Sequence, residues 1–318
     1  MKQRSREGVL VDKVDCRVQL GPLKLKNPVL TMSGTFGFGQ EYGKYYDLSA
    51  LGGIIVKAMT ANPRLGNPPP RIAETPGGIL NAIGLQNPGV DAAIAEELPP
   101  LQDLRRRGTL VIGNVSGYSF DEYCAVTKKL SDSGLVDAIE LNISCPNVKG
   151  GGMAFGTHPD TVYKVVASVR AVCDVPLIVK LSPNVTDITE IAFSAAKAGA
   201  DILSLINTLS GMAIDAKRRR PILSNVTGGL SGPAIKPVAL KMVYQVAQAM
   251  DIPIIGVGGI VSGTDAAEFL LAGATAVGVG TANLMDPLGA LKVVQELEQF
   301  LKEQKIRSVT ELIGGLIV

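Results

Sequence analysis

One short segment of the chain carries several groups that could do chemistry. Residues 140–147 read Glu-Leu-Asn-Ile-Ser-Cys-Pro-Asn and follow a largely apolar run, 136–139. Pro146 and the glycines of 150–152 then end the strand and begin a loop. Carboxamides and a thiol at the end of a buried strand, beneath a loop, are typical of a catalytic centre. We therefore take Cys145 as the candidate catalytic residue; a core cysteine before a turn is the alternative.

Other predicted strand ends carry ammonium and carboxamide groups. Lys57 and Lys180 each close an apolar run, where a buried ammonium is costly unless an anion compensates it. Asparagines recur at equivalent places, namely Asn81, Asn114, Asn142, Asn147 and Asn207. Together they suit a small flat ligand with alternating C=O and N–H groups and a carboxylate. The one histidine, His158, lies at the far end of a loop, which leaves Cys145 as the candidate base.

Glycines cluster after the last two predicted strands. The first group is Gly-Val-Gly-Gly at 256–259, and the second is Gly-Val-Gly-Thr at 278–281. In barrel enzymes, backbone N–H groups at these positions commonly bind a phosphate. Glycines that only permit tight turns are the alternative. Neither segment reads G-x-G-x-x-G after a first strand, so a Rossmann dinucleotide site is poorly supported.

Short apolar runs alternate with amphipathic segments along the chain. The predicted strands are 28–31, 53–58, 110–115, 138–143, 177–181, 202–207, 254–257 and 276–279. The predicted helices are 41–51, 91–107, 120–133, 159–172, 188–198, 235–250, 264–271 and 288–302. Almost wholly apolar strands indicate a parallel sheet with both faces covered. Eight such alternations predict an α/β fold, a (β/α)8 TIM barrel; a doubly wound open sheet is the alternative.

The predicted barrel brings the candidate residues together. A hairpin over 14–25 precedes the first strand, and we expect one domain over 1–318. Long loops follow strands 2, 4 and 6, at 59–88, 144–158 and 208–233. All three lie at the carboxyl ends of the strands, where the active sites of this fold form.

Composition excludes several classes of protein. With 31 basic and 29 acidic side chains, the chain has no global field that favours nucleic acid or a membrane surface. Aromatic residues make up 4% and tryptophan is absent, which leaves few platforms for stacked bases. No apolar run approaches the roughly 20 residues of a membrane span, and the N-terminus has no signal-peptide core, so we expect a cytoplasmic protein. The four cysteines form no C-x-x-C pair, which predicts no metal site.

Taken together, these motifs resemble class 1 dihydroorotate dehydrogenases. The resemblance rests on Asn-Ile-Ser-Cys-Pro-Asn at 142–147, Asn-Ala-Ile-Gly-Leu at 81–85, Ile-Asn-Thr at 206–208, the strand-end lysines and the paired glycines, and it covers essentially the whole chain. Gly-Gly-Met at 151–153 and the segment 229–237 are similar to the NAD-linked subtype, 1B. Class 2 enzymes have serine in place of Cys145 and an N-terminal membrane segment.

The resemblance implies an FMN site and a dihydroorotate site. The implied FMN contacts are Ser33, Lys57, Ala58, Asn114, Asn142, Lys180, Ile206, Gly232, Gly258, Gly259, Gly280 and Thr281. The implied substrate contacts are Lys57, Asn81, Ala82, Ile83, Gly84, Leu85, Asn142, Asn147, Asn207 and Thr208. Cys145 would remove the C5 proton of dihydroorotate, and FMN would accept hydride from C6, which yields orotate for pyrimidine biosynthesis. Lys180, if near flavin N1, would stabilise the reduced ring.

The resemblance also implies a partner. In the NAD-linked subtype, a separate subunit carries FAD and a [2Fe–2S] cluster and passes electrons to NAD, in a heterotetramer of two catalytic and two electron-transfer chains. A fumarate-dependent class 1A homodimer is the nearest alternative. A non-redox phosphate-binding barrel, such as an aldolase or isomerase, would account for the glycines and lysines, but it has no need of a loop thiol. A flavin-binding module without turnover is the remaining alternative.

Overall fold

The computed structural model describes residues 13–144 and 153–318. Within these ranges, eight parallel strands close into a barrel. In chain order each of these strands pairs with the next, and the last pairs with the first. The predicted TIM barrel is therefore confirmed, and the open sheet is wrong. The barrel strands are β3 (Val29–Thr31), β4 (Gly53–Met59), β7 (Leu110–Val115), β8 (Ala138–Asn142), β9 (Leu177–Lys180), β10 (Ile202–Leu205), β15 (Ile254–Val257) and β16 (Ala276–Val279).

The barrel strands are buried on both faces, as their apolar sequences predict. All residues of β8, β9, β10, β15 and β16 are buried. Helices cover the outer face, and the principal ones use one apolar stripe against the strands. The helices are α1 (Ser33–Phe36), α2 (Val90–Ala92), α3 (Gln102–Arg106), α4 (Phe120–Asp132), α5 (Met153–Gly156), α6 (Pro159–Arg170), α7 (Ile188–Lys197), α8 (Lys236–Ala249), α9 (Gly263–Leu271), α10 (Ala282–Met285) and α11 (Gly289–Glu303).

Two predicted helices are wrong. The segment 41–51 forms two short 3₁₀ turns, because the Asp47 side chain accepts from the backbone N–H of Ser49 and starts a new turn there. The segment 91–107 is divided into α2, a π-helical turn, a 3₁₀ turn and α3. Pro99 and Pro100 lack the N–H groups that a continuous helix needs, so the helix is interrupted there.

The loops at the carboxyl ends of the barrel contain structure that the sequence did not predict. Strands β5 (Ile72–Thr75) and β6 (Gly78–Asn81) lie in the loop after β4, and β11 (Leu209–Met212) and β14 (Thr227–Ser231) lie in the loop after β10. These four strands pair as one antiparallel sheet, so the two loops are joined. Asn81 of β6 pairs with Gly229 of β14.

Two further hairpins lie outside the barrel sheet and the four-stranded sheet of the loops. Strands β1 (Val18–Leu20) and β2 (Leu23–Leu25) form the predicted hairpin, which lies near the amino end of β10. Strands β12 (Ile214–Asp215) and β13 (Arg220–Pro221) extend from the loop after β10. Among the described residues, no helix is long and apolar enough to cross a membrane.

Candidate active site

A cavity of about 260 Å³ lies at the carboxyl ends of the barrel strands. The joined loops after β4 and β10 supply part of its wall, since Ile79, Asn81 and Ser231 line it. The cavity gathers most of the predicted site residues from nine separate segments of the chain. Those that line it are Ser33, Lys57, Ala58, Asn81, Ile83, Gly84, Leu85, Asn142, Lys180, Ile206, Asn207, Thr208, Gly232, Gly258, Gly259, Gly280 and Thr281.

Two ammonium groups belong to the inner wall of the cavity. Lys180 ends β9 and is only 6% exposed. Within the described parts of the chain, Lys180 forms no ion pair, so its charge has no carboxylate beside it. Lys57 lies on β4, is half-buried, and also lines a wider second cavity of about 610 Å³. A buried ammonium that faces a cavity suits an anionic or electron-rich ligand.

The carboxamides of the cavity wall belong to a connected network. Asn207 Nδ2 donates to the Ser144 hydroxyl at 2.8 Å, and that hydroxyl lies 3.2 Å from Asn142 Oδ1. The Thr208 backbone N–H donates to Asn207 Oδ1 at 2.8 Å. Asn142 is the strand partner of Lys180. Ser144, which is fully buried, therefore connects the amide at the end of β8 to the amide that follows β10, and it stands directly before Cys145.

The opposite end of the cavity is formed by glycine backbone. Gly258 and Gly259 have φ of +134° and +77°, which only glycine adopts readily. A Cβ on Gly259 would also lie 2.8 Å from the Lys236 Cβ. Gly280 has more room, because its nearest neighbours to a Cβ would be 3.9 Å away. The Thr281 hydroxyl donates to the Ser231 hydroxyl at 2.9 Å, which links the end of β16 to β14.

Asn114, a predicted site residue, does not line the cavity. It is fully buried and pairs in register with Glu140 of β8, whose carboxylate accepts from Asn114 Nδ2. Asn114 Oδ1 and Glu140 Oε1 have no hydrogen-bond partner among the described residues. Sequence reasoning missed Glu140, although an acid within an otherwise apolar strand was a usable signal. Ala82 is likewise fully buried and lies outside the cavity lining.

The model of the dihydroorotate dehydrogenase family matches residues 16–301 of this chain. The chain belongs to the dihydroorotate dehydrogenase family. The catalytic subunit of dihydroorotate dehydrogenase B (NAD(+)) from Geotalea uraniireducens is 57% identical over 305 residues, which are 96% of this chain and 99% of that protein. The subunit of the same name from Alkaliphilus metalliredigens is 55% identical over 304 residues, again 96% and 99%.

A solved structure has the same fold as this member of the dihydroorotate dehydrogenase family. It is the dihydroorotate dehydrogenase of Eimeria tenella in complex with ferulenol, with a TM-score of 0.78. The match covers 97% of this chain and 90% of that one at 24% identity, so it supports the barrel and no finer feature.

Two predicted site residues of this dihydroorotate dehydrogenase family member, Cys145 and Asn147, lie outside the described residues. His158 is exposed and precedes α6 as its N-cap residue, so it does not line the cavity. Ser144 was missed, because a serine before the candidate thiol gave no sign that it connects Asn142 to Asn207.

Proposed function

We propose that this chain oxidises dihydroorotate to orotate in pyrimidine biosynthesis, as the FMN-containing catalytic subunit of an NAD-linked dihydroorotate dehydrogenase. The observation that carries the proposal is the cavity in which Asn81, Asn142 and Asn207 surround a space flanked by Lys57 and Lys180. Dihydroorotate is a small ring with alternating C=O and N–H groups and one carboxylate, which such a set can bind. The names of the relatives support the same activity.

The residues present fit FMN. Lys180, nine-tenths buried and without a carboxylate beside it among the described residues, would lie against the electron-rich ring system. Gly258, Gly259, Gly280 and Thr281 would hold the phosphate through backbone N–H groups, since glycine allows the chain to approach an anion closely. The remainder of FMN would contact Ser33, Ala58, Ile206 and Gly232. We further propose that residues 1–318 form one FMN-binding domain.

The chain's own side chains would orient dihydroorotate and take its proton. Lys57 would pair with the substrate carboxylate, and Asn142 and Asn207, already fixed by Ser144, would bind the ring amides. The remaining contacts with dihydroorotate would come from Asn81, the backbone of 82–85, Asn147 and Thr208. Cys145 would remove the proton from C5 as general base. FMN, when bound, supplies the acceptor for the hydride that leaves C6.

The electrons would leave through a second subunit. The relatives are named catalytic subunits of an NAD(+) enzyme, which supports a separate electron-transfer chain. We propose that this partner carries FAD and a [2Fe–2S] cluster, and that two copies of each chain form a heterotetramer.

An anaerobic absorption spectrum tests the proposal. The purified chain should show flavin bands that dihydroorotate bleaches, with orotate formed in equal amount. The chain alone should reduce artificial dyes, and it should reduce NAD only after the partner subunit is added. A protein without flavin, or a flavin that dihydroorotate leaves oxidised, would contradict the proposal. Efficient turnover with fumarate would assign the chain to the fumarate-dependent subtype instead.

A further inference from the structure

The phosphate end of the cavity is built from two segments that are distant in the chain. One is the turn 232–236, which leads into α8, and the other is the loop 258–262 after β15. The two segments touch, because a Cβ on Gly259 would lie 2.9 Å from the Gly232 carbonyl oxygen. The position of each backbone segment therefore depends on the other.

A single buried carboxylate joins these segments. Asp265 of α9 is 8% exposed, and its Oδ1 accepts from Lys236 Nζ at 2.6 Å. Its Oδ2 accepts from the backbone N–H groups of Val261 at 3.0 Å and Ser262 at 2.9 Å, and from the Ser262 hydroxyl at 2.9 Å. One oxygen thus holds the loop after β15, and the other holds the first residue of α8.

Helix capping alone does not explain this arrangement. Asp265 and Ser262 form a capping box at the start of α9, which uses only Oδ2 and the Ser262 hydroxyl. The hydrogen bond from Lys236 Nζ to Asp265 Oδ1 is not part of the cap, and it joins α8 to α9. Lys236 also lies 2.8 Å from Glu268 Oε2, so its ammonium is held by two carboxylates.

Both members of the pair are charged at neutral pH. Burial raises the pKa of Asp265, but hydrogen bonds from Lys236, Val261 and Ser262 outweigh burial and hold the pKa below its ordinary value. Burial lowers the pKa of Lys236, but the hydrogen bonds to Asp265 and Glu268 outweigh burial and raise the pKa above its ordinary value. Neither Lys236 nor Asp265 lines the cavity, so the pair would act through the loops.

We propose that the Lys236–Asp265 ion pair is a positioning device for the phosphate site, which holds the loop 258–262 against the turn 232–236 so that their backbone is preorganised for the phosphate of FMN. The inference rests on the proposed function, in particular on FMN binding. We therefore expect the ion pair to strengthen binding of the FMN phosphate and to have no effect on binding of the flavin ring.

A comparison of FMN with riboflavin tests this inference, because riboflavin lacks only the phosphate. The full chain, stripped of flavin, is titrated with each compound while flavin fluorescence is followed. In Lys236→Met and Asp265→Asn, the affinity for FMN should fall by about 10- to 100-fold. The affinity for riboflavin should stay at the wild-type value, which also shows that the variants are folded. Lys236→Arg, which keeps the charge, should recover most of the FMN affinity.

A matched control is available at the other end of the barrel. Asp137 accepts from Arg105 at 2.8 Å and from the backbone N–H of Val111 at 2.8 Å, so it also joins an ion pair to a strand, but far from the cavity. Asp137→Asn should lower stability and leave the ratio of FMN to riboflavin affinity unchanged. An unchanged ratio in Lys236→Met and Asp265→Asn would overturn the inference. If the wild-type chain bound neither flavin, the proposed function itself would fail.

Discussion

The two ends of the cavity are built from different chemical groups. At the end where we propose that the FMN phosphate binds, the backbone of Gly258 and Gly259 forms part of the wall. At the end where we propose that dihydroorotate binds, the wall contains side-chain amides and ammoniums, and Ser144 connects two of the amides, Asn142 and Asn207. A backbone site is sensitive to an added Cβ, whereas a side-chain site is sensitive to truncation. Variants at the two ends should therefore separate cofactor binding from turnover.

The largest effect is expected at the substrate end, from loss of the candidate base. Cys145→Ala should retain FMN and slow flavin reduction by dihydroorotate by about 10²- to 10⁴-fold, the usual range for a lost general base. Stopped-flow absorbance under anaerobic conditions measures this rate. Reduction by the wild type should accelerate as pH rises towards the pKa of a free thiol, about 8.5. Cys124→Ala is the control, since this half-buried thiol lies in α4. Reduction at the wild-type rate in Cys145→Ala would refute the assignment.

An added side chain should have the second largest effect, now on cofactor binding. Gly259→Val combines a φ of +77° with a Cβ only 2.8 Å from Lys236 Cβ, so the backbone of the phosphate site must shift. We expect the purified variant to contain little or no FMN, which its flavin absorbance would reveal. Gly134→Val is the control, because Gly134 has φ of +66°, but no atom of the described residues would lie within 4 Å of its Cβ. A fully yellow Gly259→Val protein would place the phosphate elsewhere.

Much of the fold was predictable because the barrel strands carry an unambiguous signal. Each is a short apolar run between amphipathic segments, and β7, β15 and β16 have the predicted bounds. The family was predictable for a different reason: the motif 142–147 and the paired glycines occur together. The sheet formed by β5, β6, β11 and β14 was missed, because pairing between loops about 150 residues apart leaves no local pattern.

The site was predictable residue by residue where a polar group ends an apolar strand. Lys57 and Lys180 met this criterion, and both line the cavity. Asn114 met it too, but it does not line the cavity, and its side chain donates a hydrogen bond to Glu140. The depth of a residue in a barrel depends on strand stagger, which a single sequence does not reveal. The roles of Cys145 and Asn147 stay predictions.

Removal of a charge at the substrate end should have the next largest effect. Lys57→Ala removes a charge-assisted donor from the cavity wall, so orotate binding should weaken by about 1.5–3 kcal/mol. Isothermal titration of the flavin-loaded chain with orotate measures the change. Lys24→Ala serves as control, because Lys24 is exposed on β2 near the amino end of the barrel. An unchanged orotate affinity in Lys57→Ala would remove Lys57 from the substrate site.

The smallest predicted effect concerns the hydroxyl that connects the substrate amides. Ser144→Ala would leave Asn207 Nδ2 without its 2.8 Å acceptor, and Asn142 would lose its link to β10. Because the hydrogen bonds are uncharged, orotate affinity should fall by only about 0.5–1.5 kcal/mol. The diagnostic result is non-additivity. The double variant Ser144→Ala/Asn207→Ala should bind orotate almost as well as Asn207→Ala alone, because the hydrogen-bond partner of Ser144 is already missing there. Ser168→Ala, on the exposed face of α6, is the matched hydroxyl control. If the two changes were strictly additive, Asn207 would bind orotate without help from Ser144, and the amides of the substrate end would act independently.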